Sequence, residues 1–133
     1  MKLQLGSGTV FLDGFENTDI PAVDITKPLP YADESADIIV ASHVLELIIL
    51  RDVAFAMREI RRVLKKDGWV RLHFGSERFG IDGEYLAHAI ASLGGGGWRP
   101  CVVDKEMTRT GDESVLKAMG QHGPAIVIEL QKI

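Results

Sequence analysis

The 133-residue chain reads as a single α/β domain, residues 1–133, with a mostly parallel sheet, a C-terminal antiparallel strand and one sheet face thinly covered by helices. Three observations predict this. Short apolar, β-branched runs alternate with two segments of helical period, glycine-rich or acidic turns close the runs, and several strands alternate polar with apolar residues.

Lys2 to Leu5 is a short strand running into Gly6-Ser7-Gly8, and Glu16 to Ile20 reads as a second. Ala36 to Ser42 (Ala-Asp-Ile-Ile-Val-Ala-Ser) has the composition of a buried strand. The period then changes: Val53, Ala56, Met57, Ile60, Val63 and Leu64 recur at spacings of three and four, which predicts a helix from Leu50 to Lys66 stopped by Asp67-Gly68. Trp69 to Phe74 is the next strand. Residues 82–93 form a second amphipathic helix, with Asp82 placed to cap it and glycines 94–97 breaking it. Strands at Arg99 to Asp104 and Ala125 to Lys132 complete the sheet as an antiparallel pair.

In Trp69–Phe74 the residues Val70, Leu72 and Phe74 oppose Trp69, Arg71 and His73, and in the last strand Ile126, Ile128 and Leu130 oppose Val127, Glu129 and Gln131. This alternation predicts a wet face. The connections between the first strands are too short to hold a helix of useful length there, which accounts for the thin cover. Partial exposure of Ile39 and Trp69 would favour a homodimer.

Composition excludes several function classes. A net charge of −4 argues against a nucleic-acid binder. No apolar run approaches the ~20 residues of a membrane-spanning helix, and the start of the sequence has no secretory signal pattern, so the cytoplasm is the expected location. The lone Cys101 supplies neither a disulfide nor a CxxC spacing and reads as a small buried residue at a strand edge. The first fifty residues carry two lysines against eight acids; the stretch from Arg51 to Lys66 is basic and reads as a solvated helix face.

The first informative site is Leu5-Gly6-Ser7-Gly8, where glycine lets the chain turn sharply and lets a ligand approach the backbone. The third glycine of a GxGxG turn is replaced by Val10. Eleven residues beyond Gly8, Asp19 follows Gly14-Phe15-Glu16-Asn17-Thr18, where an acid at the end of a second strand can accept hydrogen bonds from both ribose hydroxyls of an adenine nucleoside. Thr9 to Gly14 is too short for the helix whose N-terminus would receive a dinucleotide pyrophosphate. The acid-rich first fifty residues also suit a cationic ligand better than an anionic one.

Four segments in order, LQLGSG, GFENTDI, DITKPLPYADESADIIVASHVLELI and MREIRRVLKKDGWVRLHF, resemble the class I S-adenosylmethionine-dependent methyltransferases, in particular their compact type-11-like branch, over residues 2–74. The resemblance implies a reduced Rossmann-like methyltransferase fold that binds S-adenosylmethionine and methylates a small-molecule acceptor. It implies that Leu5, Gly6, Ser7 and Gly8 pass beneath the methionine part of the cofactor, and that Asp19 holds the ribose with Ile20 beside the adenine. Asp24 with Ile25 would contact the adenine amino group, and Ser42 and His43 would line the cofactor and face the acceptor.

Methyl transfer from a sulfonium needs mainly alignment, and a base only where the acceptor loses a proton. His43 and His73 are the candidate bases, with Glu46 placed to orient His43 if a helical turn begins there; these three carry no diagnostic metal spacing. Ser76 to Gly83 and Lys105 to Gly123 would flank the acceptor, and Arg78, Phe79, Tyr85, Arg109 and Asp112 belong to that third of the chain without forming an acceptor motif. His88 and His122 receive no role. Two other readings stand beside the enzyme: a catalytically silent S-adenosylmethionine-binding module, and a nucleotide-binding oxidoreductase.

Overall fold

The computed structural model describes residues 1–9, 11–42, 44–45, 48–75, 83–93, 95–103 and 125–133. The elements run β1 (Lys2–Leu5), β2 (Glu16–Asn17), β3 (Ala36–Ser42), α1 (Leu50–Val63), β4 (Leu64–Gly75), α2 (Gly83–Leu93), β5 (Trp98–Val103) and β6 (Ala125–Lys132). They build one six-stranded sheet in the order β2-β1-β3-β4-β6-β5. β1 pairs in parallel with both β2 and β3, β3 pairs in parallel with β4, and β6 is antiparallel to its neighbours β4 and β5. The strand order therefore reverses at β1, where adjacent crossovers leave in opposite directions and open a crevice beyond the strand ends.

Both described helices lie on one face. There Leu3, Leu5, Ile39, Val70, Leu72, Ile128 and Leu130 meet Val53, Ala56, Met57, Ile60 and Val63 of α1 and Leu86, Ala87 and Ile90 of α2 in one buried cluster. The α1 residues are those that recur at helical spacing, and each large side chain so buried contributes roughly 1.5–3 kcal/mol. Ile39 belongs to this core with no exposed surface, which removes it as a reason to expect a homodimer. On the opposite face a smaller cluster joins Leu12, Phe15 and Val40, with Ile38 packed against it.

At its centre that opposite face is not wet, although Lys2 at its margin is exposed. Gln4, Arg71, His73 and Glu129 have 0–1% of their surface exposed. Register explains the polar pair, because Arg71 stands directly across from Glu129. Its Nε donates to Glu129 Oε1 at 2.9 Å and its Nη2 donates to the same oxygen. Each charge thus compensates the other's loss of water. Alternation here marks a polar interior where the sequence suggested solvent.

Two boundaries differ from expectation. α1 ends at Val63, and Leu64 turns extended with its N–H bonded to Ile60 O, because its buried side chain and its pairing with Ala36 commit it to β4. Asp67-Gly68 consequently lies inside a bulged stretch of β4, with Asp67 at φ 64°. Gly68 is packed so closely there that a Cβ would sit 2.8 Å from Lys65 O and 3.0 Å from Asp37 O. β2 stops at Asn17, whose side chain ties the preceding turn: Oδ1 accepts from Leu12 N–H, and Nδ2 donates to the Leu12 and Phe15 carbonyls.

Candidate functional site

The site begins where β1 ends. Gly6 turns at φ 65°, and a Cβ there would collide with Cγ2 of Val44. Only glycine meets both demands, a left-handed backbone and a side chain packed against the Cα. Gly8 follows at φ 54°, on the exposed side of the turn. Thr18 continues the pairing beyond β2: its N–H bonds Gln4 O at 2.9 Å, its Oγ1 bonds the same oxygen at 2.7 Å, and its carbonyl accepts Ser7 N–H at 2.9 Å. That contact brings Asp19 up to the turn.

Asp19 Oδ2 accepts the Gly8 amide at 3.0 Å and Oδ1 accepts the Ile20 amide at 2.8 Å. A carboxylate offers about four acceptor positions, so roughly half remain for a ligand. Asp24 is arranged differently. Both the Thr26 hydroxyl, at 2.7 Å, and the Thr26 amide, at 2.9 Å, donate to Oδ1. Among the described residues none donates to Oδ2. The hydroxyl bond, then the amide bond, and more weakly the charge of Lys27, hold the Asp24 carboxyl below its ordinary value, so it is ionised at neutral pH.

These groups face one cavity of about 380 Å³, lined by Gly6, Gly8, Asp19, Ile20, Val23, Asp24, Ile25, Thr26, Val44 and Ile48. It opens beyond the ends of β1 and β3, where the strand order reverses. Its size falls within the ~300–1,000 Å³ of small-ligand pockets. Two carboxylates and no cationic side chain stand among the lining residues, and the rest of the wall is largely aliphatic.

Of the residues singled out from the sequence, Gly6, Gly8, Asp19, Ile20, Asp24 and Ile25 meet at the cavity. Leu5 and Ser7 are buried just behind it. Ser42 closes β3, opposite His73 of β4. His73 is buried in the sheet and is absent from the lining. His43, Glu46, Arg78, Phe79, Asp82, Arg109, Asp112 and His122 lie outside the described residues. Tyr85 is exposed near the start of α2 and His88 is exposed on the same helix.

Sequence reasoning missed Val23, Thr26, Val44 and Ile48. Thr26 carried a usable signal, since a threonine two residues after an aspartate commonly closes a local side-chain turn. Val44 and Ile48 had none beyond their place after β3. Arg62 was also misread as solvated. Its guanidinium reaches the Leu29 and Tyr31 carbonyls, Asp33 and Glu59, and so ties the segment that follows Asp24–Thr26 to α1.

A family model described as a methyltransferase domain matches residues 6–72, half of the chain. No curated protein matches. Among solved structures, a TehB-like SAM-dependent methyltransferase from Corynebacterium glutamicum is similar at 15% identity and a TM-score of 0.62, over 99% of this chain and 80% of that one. The CurJ carbon methyltransferase is similar at 17% identity and a TM-score of 0.61, over 98% of this chain and 48% of that one. This chain therefore spans about half the length of the CurJ chain. A structure of the complex between the Haloferax volcanii Trm112 methyltransferase activator and a methyltransferase matches at 14% identity and a TM-score of 0.56, covering 98% of this chain and 81% of that one. At these identities the likeness establishes the fold, that of the class I SAM-dependent methyltransferases.

Proposed function

The chain belongs to the methyltransferase domain family, and on that footing we propose that it binds S-adenosylmethionine in the cavity at the ends of β1 and β3 and transfers the methyl group to a small-molecule acceptor. One observation carries the reading: the Gly6–Gly8 turn, Asp19 and Asp24, far apart in sequence, converge on one largely aliphatic cavity, with two carboxylates and no cation among its described lining residues.

The residues suit the ligand group by group. Asp19 keeps acceptor positions for the two ribose hydroxyls while its amide bonds hold it in place. Asp24 Oδ2 is free to accept the adenine amino group because Thr26 occupies Oδ1. Ile20 and Ile25 supply apolar surface for the base, and Gly6 and Gly8, backed by Leu5 and Ser7, leave room for the methionine part. The acidic, cation-free wall favours a positively charged sulfonium.

When bound, S-adenosylmethionine supplies a methyl group already activated by its positive sulfur. The protein's task is then alignment, an effect that reaches roughly 7–11 kcal/mol in favourable cases. Ser42 and His43, at the end of β3, would line the acceptor side, with His43 as base for an acceptor that loses a proton. His73, the other candidate base, is buried in the sheet outside the cavity lining and would serve only an acceptor that reaches it. A silent binding module is the second reading, favoured by one observation: both described helices lie on one sheet face, which leaves the cover over the other thin.

The test is a melting experiment with S-adenosylhomocysteine beside NAD, on protein purified free of ligand. S-adenosylhomocysteine at 100 times its dissociation constant should add roughly 2.7 kcal/mol of stability, and NAD none. Asp19→Ala should weaken binding by about 1–3 kcal/mol. No response to S-adenosylhomocysteine would defeat the proposal, and unchanged affinity in the variant would defeat the ribose assignment. Release of S-adenosylhomocysteine from S-adenosylmethionine with any acceptor would exclude the silent module.

A further inference from the structure

The start of α1 breaks a local rule. Its N-cap is Ile49, which makes no side-chain capping bond, and the helix opens with Leu50. Isoleucine and leucine are among the poorest N-cap residues, where serine, threonine, aspartate or asparagine would satisfy a free amide. Both side chains also stand in water, Ile49 at 57% and Leu50 at 66% exposure. Ile48 packs against the main core, but nothing in helix stability or core packing accounts for the two aliphatic residues that follow it, Ile49 and Leu50. Their neighbourhood does, because Ile48 lines the cavity and Ile20, 68% exposed, lines it too. Where sequence violates local preference without a packing gain, function is the usual compensation.

We propose that Ile48–Leu50 form an apolar rim that takes the hydrophobic portion of the methyl acceptor, so that the substrate class is an amphiphile with an aliphatic or aromatic body. The inference rests on the cofactor reading above. An acceptor atom must come within ~3–3.5 Å of the methyl carbon, so the acceptor shares the mouth of the cavity and meets whatever borders it. Area argues against a protein partner: three partly exposed aliphatic side chains present a few hundred Å², short of the ~800 Å² each partner buries in a stable complex.

A homologous series of n-alkanols from butanol to decanol provides the probe, titrated calorimetrically into protein saturated with S-adenosylhomocysteine. Affinity should rise about fourfold per added methylene while the chain still finds the rim. In an Ile49→Ser/Leu50→Gln variant that rise should flatten and the longest alkanols should bind at least tenfold more weakly. Serine improves the cap, so the variant should keep its melting temperature, and S-adenosylhomocysteine should bind it as it binds the parent. Alkanol affinity that is flat in the parent, or that rises equally in the variant, overturns the rim. Sedimentation that finds a dimer in the parent and a monomer in the variant also overturns it, by giving these side chains to a second copy. Failure of S-adenosylhomocysteine to bind the parent is a separate result, which removes the cofactor reading and this inference with it.

Discussion

Replacing Arg62 with alanine should cost more than any other single change on the surface of α1. All five guanidinium N–H groups are used: Nε to Glu59 Oε2 at 2.9 Å, Nη2 to Glu59 Oε1 at 3.0 Å and Leu29 O at 2.9 Å, Nη1 to Tyr31 O at 2.8 Å and Asp33 Oδ1 at 2.7 Å. Glu59 in turn accepts the Leu29 amide at 2.8 Å. The contributions are unequal. Asp33 is 74% exposed, and such a pair contributes ~0–1 kcal/mol. The bonds to Glu59, 15% exposed, and to the two backbone carbonyls are better shielded, at ~0.5–1.5 kcal/mol net each. The sum is about 2–7 kcal/mol, of which a guanidinium 31% exposed keeps the lower half, about 2–4 kcal/mol, a large share of a domain's ~5–15 kcal/mol. Urea titration at neutral pH should show that loss with an unchanged m-value, and heating should show a melting temperature lower by roughly 10 °C. Arg62→Lys should recover less than half, since an ammonium has three donors and no planar fork. A loss below about 0.5 kcal/mol for Arg62→Ala would refute the reasoning, because the five bonds would then contribute nothing beyond their cost in ordering.

Three further outcomes follow from the same structure. Gly6→Ala should both destabilise the fold and abolish the response to S-adenosylhomocysteine, since the new methyl collides with Val44 at φ 65°; a variant that melts and binds like the parent would contradict the turn geometry. Hydrogen bonds from Arg62 hold the Glu59 carboxyl below the ordinary glutamate value, so its contribution is complete above that ordinary value and is lost as the pH falls through the lower folded one; Glu59→Gln should flatten this acid limb of a stability-versus-pH curve, and an unaltered limb would count against the assignment. Glu129→Gln should cost about 3–5 kcal/mol by removing the carboxylate charge that stands across from buried Arg71, while Arg71→Met with Glu129→Leu should recover much of it. Chemical denaturation of the two variants decides, and an undisturbed Glu129→Gln would remove the buried pair from the account.

Legibility followed physics that acts locally. β1 and β3 could be read to the residue because β-branched composition and flanking glycines are short-range signals, and α1 because its apolar period is regular. The end of α1 could not, since Leu64 is drawn into β4 by pairing with Ala36, a partner 28 residues away whose influence leaves no mark on the helical period. The same holds for the sheet face carrying Arg71 and Glu129: alternation reports polarity and says nothing about what a polar side chain meets. At the site, Gly6 and Asp19 were visible because backbone approach and charge demand particular residue types, and Asp24 through the family resemblance. Val44 and Ile48 were not, because many aliphatic residues would fill that wall.

The hydrogen bond from the Gly8 amide to Asp19 has a consequence for redesign. One side chain both frames the glycine turn and faces the cavity, so under the cofactor assignment proposed above selectivity and scaffold are written in the same atoms. An attempt to retune the pocket for a different nucleoside by exchanging Asp19 would also release the loop, and would need a second substitution near Gly8 to restore its frame. Evolution of this pocket meets the same coupling: drift at position 19 is penalised twice.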